Sequence, residues 1–365
     1  MSASTDTGSA AASGADGGPV MRWLVLPMLA ALDPPMRAIQ RRIGIERLAY
    51  VFLLPTMLIF GLFSFLPAAL NVWISFTGGS STIVSARPFV GLQNYEALLA
   101  CESIFVPKSC PVAGFGFWTG MWNTLTFALV QVPAMTVVAL ATAIVLNRKI
   151  RARGFWRALF FYPVMLSPVV VAVVWDWVLK RRGILNALLA DLTNAWNGLL
   201  AWLPFHVDPV AAFRPVNWLA DASTSWPFFW VVFVYSWSHL GFYMLILLAG
   251  LQAIPKDLYE AAEMDGTPPW RVFLRITLPL LMPTLLVVLV LSLIRAFQVF
   301  DEVYVLTGGG PGTATRMVIQ HIYETAFVSD AKLFGIAAAS SVLLACIILV
   351  LTLAQLALSR RQAGG

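Results

Sequence analysis

The chain is 365 residues long, 59% hydrophobic and only 12% charged, with a formal net charge of +6. A soluble domain carries about 25% charged residues, so the composition excludes an ordinary soluble fold and calls for several segments in hydrocarbon. Lys and Arg collect at the ends of apolar runs, which reads as membrane orientation and not nucleic-acid binding, and no nucleic-acid module occurs.

Residues 1 to about 20 are mostly Ser, Ala, Gly and Asp, a composition expected to stay disordered. Trp23 to Leu32 is apolar but shorter than the roughly 20 residues a crossing helix needs, so an interfacial helix is expected, and Met21 offers a second start. Six longer runs follow, at about Ala49 to Phe76, Trp118 to Leu146, Phe155 to Leu179, Trp226 to Leu251, Leu280 to Leu306 and Leu333 to Leu358. The predicted fold is therefore an all-α integral membrane protein with six transmembrane helices, a cytoplasmic segment 1–48 and a membrane domain 49–359. With both termini inside, fifteen Lys and Arg fall on the cytoplasmic side and eight outside, the bias that sets such orientation. Lys180-Arg181-Arg182 is the local exception, at the start of a long Trp-rich loop, 180–225.

Cys101 and Cys110 share a loop assigned to the oxidising side. They are read either as a disulfide or as two unpaired small residues. No C-x-x-C pair occurs and His206, His239 and His321 are scattered, so no local motif supports a metal site.

Between the fourth and fifth runs lies the most charge-dense part of the C-terminal half, residues 252–279. Pro255 can open a short helix and Gly266 can close it in the left-handed conformation. Glu260-Ala261-Ala262, Gly266, Ile276 and Leu278-Pro279 meet every position of the pattern E-A-A, three residues, G, nine residues, I, one residue, L-P. This stretch closely resembles the EAA loop of bacterial ABC-importer permeases. Asn123-Thr124-Leu125, Phe161-Tyr162-Pro163, Gly183-Ile184-Leu185-Asn186, Asn217-Trp218-Leu219 and Phe300 to Gly312 are similar to the carbohydrate-uptake, maltose-type branch. The departures are a longer Asp191 to Pro215 segment and Arg295, where a small or neutral residue is usual.

The resemblance implies a cytoplasmic coupling helix in which Glu260, Ala261, Ala262, Asp265 and Gly266 meet an ATPase. It implies as partners a second, non-identical permease, two ATP-binding subunits that use ATP and Mg, and a substrate-binding protein outside. This chain would bind no cofactor and catalyse no reaction. Consistent with that, it lacks G-x-x-x-x-G-K-[ST], and Gly308 to Gly312 reads as a turn without the lysine of a nucleotide cradle.

A sugar, oligosaccharide or related polyol, including a phosphorylated polyol, would need hydroxyl partners and aromatic faces along its path. Arg295, Phe297, Gln298, Asp301 and Tyr304 are the candidates, with Trp175, Trp177, Trp226, Trp230 and Trp237 as further stacking surfaces. Tryptophans near span ends also serve as interface anchors. Arg295 and Asp176 lie within apparent spans, where a charge is either functional or structurally paired. His239 reads as a packing residue. An ion-coupled secondary transporter would show paired repeats with carboxylates at mid-span, and a membrane enzyme a catalytic cluster; neither pattern occurs.

Overall fold

The computed structural model describes residues 44–202, 211 and 213–363, so the expectations for the N-terminal tail, the Trp23 to Leu32 helix and His206 lie outside the described residues. Among those described there is no β-strand, only one isolated bridge between Thr77 and Phe89. Five helices are long and apolar enough to cross a membrane, and a bent pair brings the number to six.

The first unit reaches Leu70 and the second begins at Asn71. In the first, α1 (Ile45–Phe60) passes through a wide π-turn, Gly61–Phe65, into α2 (Leu66–Ser75). Pro67 supplies no N–H for the ordinary helical bond, and the extra residue of the π-turn takes up the mismatch. None of the residues in the most apolar window of this span is buried. A helix that is apolar on all sides is stable only against hydrocarbon or another helix.

The second unit is built on α4 (Val112–Asn147), which follows the short helix α3 (Gln93–Leu99). Alongside α4 runs α8 (Trp226–Ala253). Two apolar clusters bury the seam. One contains Phe117, Phe127, Val231 and Tyr235, and the other Met135, Ala139, Ala143, Tyr243, Met244 and Leu247.

The third span is not one rod. α5 (Arg153–Phe161) runs into a 3₁₀ turn, Tyr162–Met165, and then breaks; α6 (Pro168–Leu179) and α7 (Ile184–Leu200) follow at 98°. The cause is local. Leu166 and Ser167 are extended, Ser167 because the residue before a proline is driven out of the helical region, and Pro168 then occupies the first turn of the new helix. The expected straight run from Phe155 to Leu179 is thereby corrected. So is the expected loop 180–225, since Ile184–Leu200 is helical. Gly241 of α8 sits against this break. A Cβ there would lie 2.6 Å from Phe161 Cα and 2.9 Å from the Phe160 carbonyl carbon, so only glycine lets the two backbones come so close.

The fifth span also differs from expectation. It runs from Pro269 to Phe297, about ten residues earlier than predicted at both ends. It comprises α10 (Pro269–Val272), a π-turn Phe273–Thr277 that admits Pro279, and α11 (Leu278–Phe297). Arg271 and Arg275 therefore ride on the first turns of the spanning helix. α12 (Asp301–Leu306), α13 (Val318–Tyr323) and α14 (Phe334–Ala363) complete the unit.

Several motif residues act as scaffold. Asn186, 3% exposed, donates to the carbonyls of Lys180, Arg181 and Val216 and accepts from the Val216 N–H and Trp218 Nε1. It ties the Gly183-Ile184-Leu185-Asn186 and Asn217-Trp218-Leu219 stretches together. Asn186→Ala is expected to lower stability by about 1–3 kcal/mol, because it leaves buried donors unpaired; thermal unfolding in detergent reads it. Asn123 holds the glycine-rich loop through the carbonyls of Thr313 and Arg316, while Thr315 Oγ1 bonds Gly310 O.

Candidate coupling loop and translocation cavity

The loop after α8 closes on Gly266 as expected, but Pro255 lies before the helix and not in its first turn, since Lys256 is the cap. Ile254 is extended before Pro255, and α9 (Asp257–Met264) begins with Asp257 and Glu260 in its first turn, where the helix dipole favours acids. Its end is a Schellman cap. Thr267 N–H donates to Ala262 O and Gly266 N–H to Glu263 O, each at 3.0 Å, and Gly266 takes φ +64°. The helix is anchored to the fifth span by Tyr259 Oη and Thr277 Oγ1, 3.1 Å apart.

Glu260, Ala261, Asp265 and Gly266 are exposed. Ala262 is not: at 7% exposure it faces its own chain, so of the two alanines only Ala261 is offered outward. Met264 is 89% exposed, and sequence reasoning missed it. It lies four residues after Glu260, hence on the same side of the helix. An apolar side chain held out in a polar segment was the available signal. Beside α9, Lys149, Arg153 and Lys256 share a cleft of about 360 Å³ with Tyr259, so the basic stretch after α4 flanks the coupling segment.

A second polar locus forms where the third span breaks. Pro163, Leu166, Ser238, His239, Phe242, Arg295 and Glu302 line a cavity of about 260 Å³. Non-helical backbone at membrane depth is tolerated where it borders such a cavity. Arg295, in the last turn of α11, lies over the Phe242 ring at 6.0 Å. His239 Nε2 is 3.9 Å from Glu302 Oε1, while its Nδ1 is 3.0 Å from Tyr235 O and 2.9 Å from Ser238 Oγ. Asp176, the other charge within an apparent span, is structurally paired with Lys180 at 2.8 Å.

The other path candidates separate. Gln298, Asp301 and Tyr304 are exposed, and Tyr304 stacks on Phe300 with ring centres 5.2 Å apart. Phe297 is 1% exposed and belongs to the apolar core, so it presents no face to a path in this conformation. Trp175 packs on both Trp230 and Trp237, and Trp226 packs on Trp218, so the faces of these rings meet aromatic neighbours. Trp177 stands outward at 69% exposure, as expected of a ring turned to lipid or interface.

Comparison with known proteins converges on one family. Residues 135–364 match the model of the binding-protein-dependent transport system inner membrane component. The trehalose/maltose transport system permease protein MalF of Thermococcus litoralis is 34% identical over 314 residues, covering 86% of this chain and 94% of that protein. The arabinooligosaccharides transport system permease protein AraP of Bacillus subtilis is 32% identical over 312 residues, covering 85% and 88%. Among solved structures, a bacterial ABC transporter involved in the import of the acidic polysaccharide alginate superposes with a TM-score of 0.66 at 25% identity, over 89% of this chain and 99% of that one. An all-helical set of apolar spans, an EAA-patterned loop closed on Gly266 and these likenesses agree: the chain belongs to the binding-protein-dependent inner membrane permeases, as a carbohydrate ABC-importer permease subunit.

Proposed function

We propose that this chain forms half of an alternating-access pathway for a sugar, oligosaccharide or related polyol, driven by ATP hydrolysed on separate subunits. The observation that carries the reading is α9, a rigidly capped helix that holds Glu260, Ala261 and Met264 outward at the foot of the fifth span. Two ATPase copies dock from the cytoplasm, one on this helix and one on that of a second, non-identical permease, and a binding protein delivers substrate from outside. The Lys and Arg distribution supports both termini inside. Nucleotide-driven movement of α9 reaches the bundle through the Tyr259–Thr277 contact and the continuous helix from Pro269. Arg295, Gln298, Asp301 and Tyr304 serve the path, in line with their exposure around the break in the third span.

An ATPase disabled at its own catalytic site, with this chain intact, is expected to abolish uptake into whole cells. Uptake that persists would transfer the reading to an ion-coupled secondary transporter. The loop cysteines belong to the same topology: Cys101 and Cys110 form a disulfide with Cα atoms 4.2 Å apart, and Cys346 is free. We expect one reactive thiol in denatured, unreduced protein and three after reduction. Three before reduction would rule out the bridge and leave Cys101 and Cys110 as two unpaired small residues.

A further inference from the structure

At the far end of α2 from the chain's start, a cavity of about 520 Å³ opens between Asn71, the loop through Ser81 to Arg87, the turn after α13 and the first turns of α14. Two cations line it, Arg87 and Lys332, and no Asp or Glu does among the described residues. Arg87 is 8% exposed. Its Nε donates to Thr77 Oγ1 and its Nη1 to Ser81 O, each at 2.8 Å, and the guanidinium lies over the Phe334 ring at 5.6 Å. Its Nη2 is buried with no hydrogen-bond partner. A buried guanidinium with its Nη2 unpartnered and no carboxylate beside it is an incomplete arrangement, because an unpaired buried charge is strongly unfavourable.

Asn71, Ser81, Thr82 and Ser341 add neutral polar groups, and the rest of the wall is apolar. Ile322, Ala326, Phe327, Ala337 and Ala338 continue from the cations onto the spanning helix Phe334–Ala357. We propose that this cavity binds the phosphodiester headgroup of an anionic phospholipid, with Arg87 and Lys332 on the phosphate and an acyl chain along the α14 wall. The unpartnered Nη2 of Arg87 can donate to a phosphate oxygen, and the apolar strip leading toward hydrocarbon favours a lipid over a free ion. The site stands apart from the coupling loop and from the cavity at Arg295, and its occupancy does not depend on transport.

The test is native mass spectrometry of the full chain, with the subunits that purify with it in mild detergent, titrated with phosphatidylglycerol, phosphatidylcholine or inorganic phosphate. Lys332→Gly is the informative variant. Lys332 has φ +43°, which glycine adopts without strain, so the charge is removed while the backbone is favoured. Wild type is expected to hold one phosphatidylglycerol per chain and to discriminate against phosphatidylcholine, with affinity for the anionic lipid about fivefold lower in Lys332→Gly. Arg87→Leu should lower it further. Equal phosphatidylglycerol affinity in wild type and Lys332→Gly, or none retained by wild type, overturns the proposal. If inorganic phosphate alone stabilises wild type against heating and no lipid is retained, the site belongs to a free oxyanion and the lipid assignment fails.

Discussion

Gly266→Pro is expected to strip the ATPase from the complex while leaving the permease in the membrane. Gly266 has φ +64°, whereas proline is fixed near −65° and has no N–H to donate to Glu263 O. The substitution therefore removes one cap bond outright and swings Thr267 away from Ala262 O, so the end of α9 cannot close. Nothing lies within 4 Å of a Cβ at Gly266, so the damage stays in the loop and does not spread into the bundle. The same fact grades the series. Gly266→Ala meets no steric obstacle and suffers only the left-handed penalty, about 1–2 kcal/mol, which should weaken docking about five- to thirtyfold where Gly266→Pro abolishes it. The measurement is co-purification from native membranes in mild detergent. The second permease should remain with Gly266→Pro and the ATPase should not. Wild type that brings down no ATPase would sink the importer reading itself, whatever the variants do.

What the sequence made legible, and what it did not, follows from the range of the forces involved. The end of the candidate coupling helix was legible because it is governed by neighbours, a glycine closing it in the left-handed conformation. Every part of the Schellman cap lies within six residues. The spans were legible as runs, since hydrocarbon demands length and apolarity and little else. Where they begin and break was less so. The start of the fifth span at Pro269 depends on Arg271 and Arg275 being tolerated on its first turns, and composition had argued against that. The break of the third span was written locally in Ser167-Pro168, but an apolar count over Phe155 to Leu179 averages it away. Ala262 shows the opposite limit: it was read as outward with Ala261, and only the packing of α9 onto its own chain turns it in. Asn186 is likewise opaque in sequence, because Trp218 and Val216 come from thirty or more residues away.

Arg295→Ala is expected to cut uptake by about tenfold or more, the equivalent of losing one interaction of about 1.4 kcal/mol, while the protein level stays near wild type. The argument rests on where Arg295 sits. It lies at the C-terminal turn of α11, where a cation meets the negative end of the helix dipole, and its head lines the cavity at the break of the third span. It is an exposed side chain at a cavity whose other ionisable groups, His239 and Glu302, face each other across 3.9 Å. If Arg295 is instead a structural partner of Glu302, removing it strands a carboxylate that is 6% exposed, and the chain should be degraded. Glu302→Gln separates the two. On the path reading, Arg295→Ala loses transport at normal abundance and Glu302→Gln does not restore it. On the structural reading, Arg295→Ala loses abundance, and the added Glu302→Gln recovers it by removing the stranded charge. Immunoblotting of membranes beside labelled-sugar uptake for the two single variants and the double variant decides between them. Unchanged uptake and unchanged abundance in Arg295→Ala would reject both, and would leave Gln298, Asp301 and Tyr304 as the groups to test along the path.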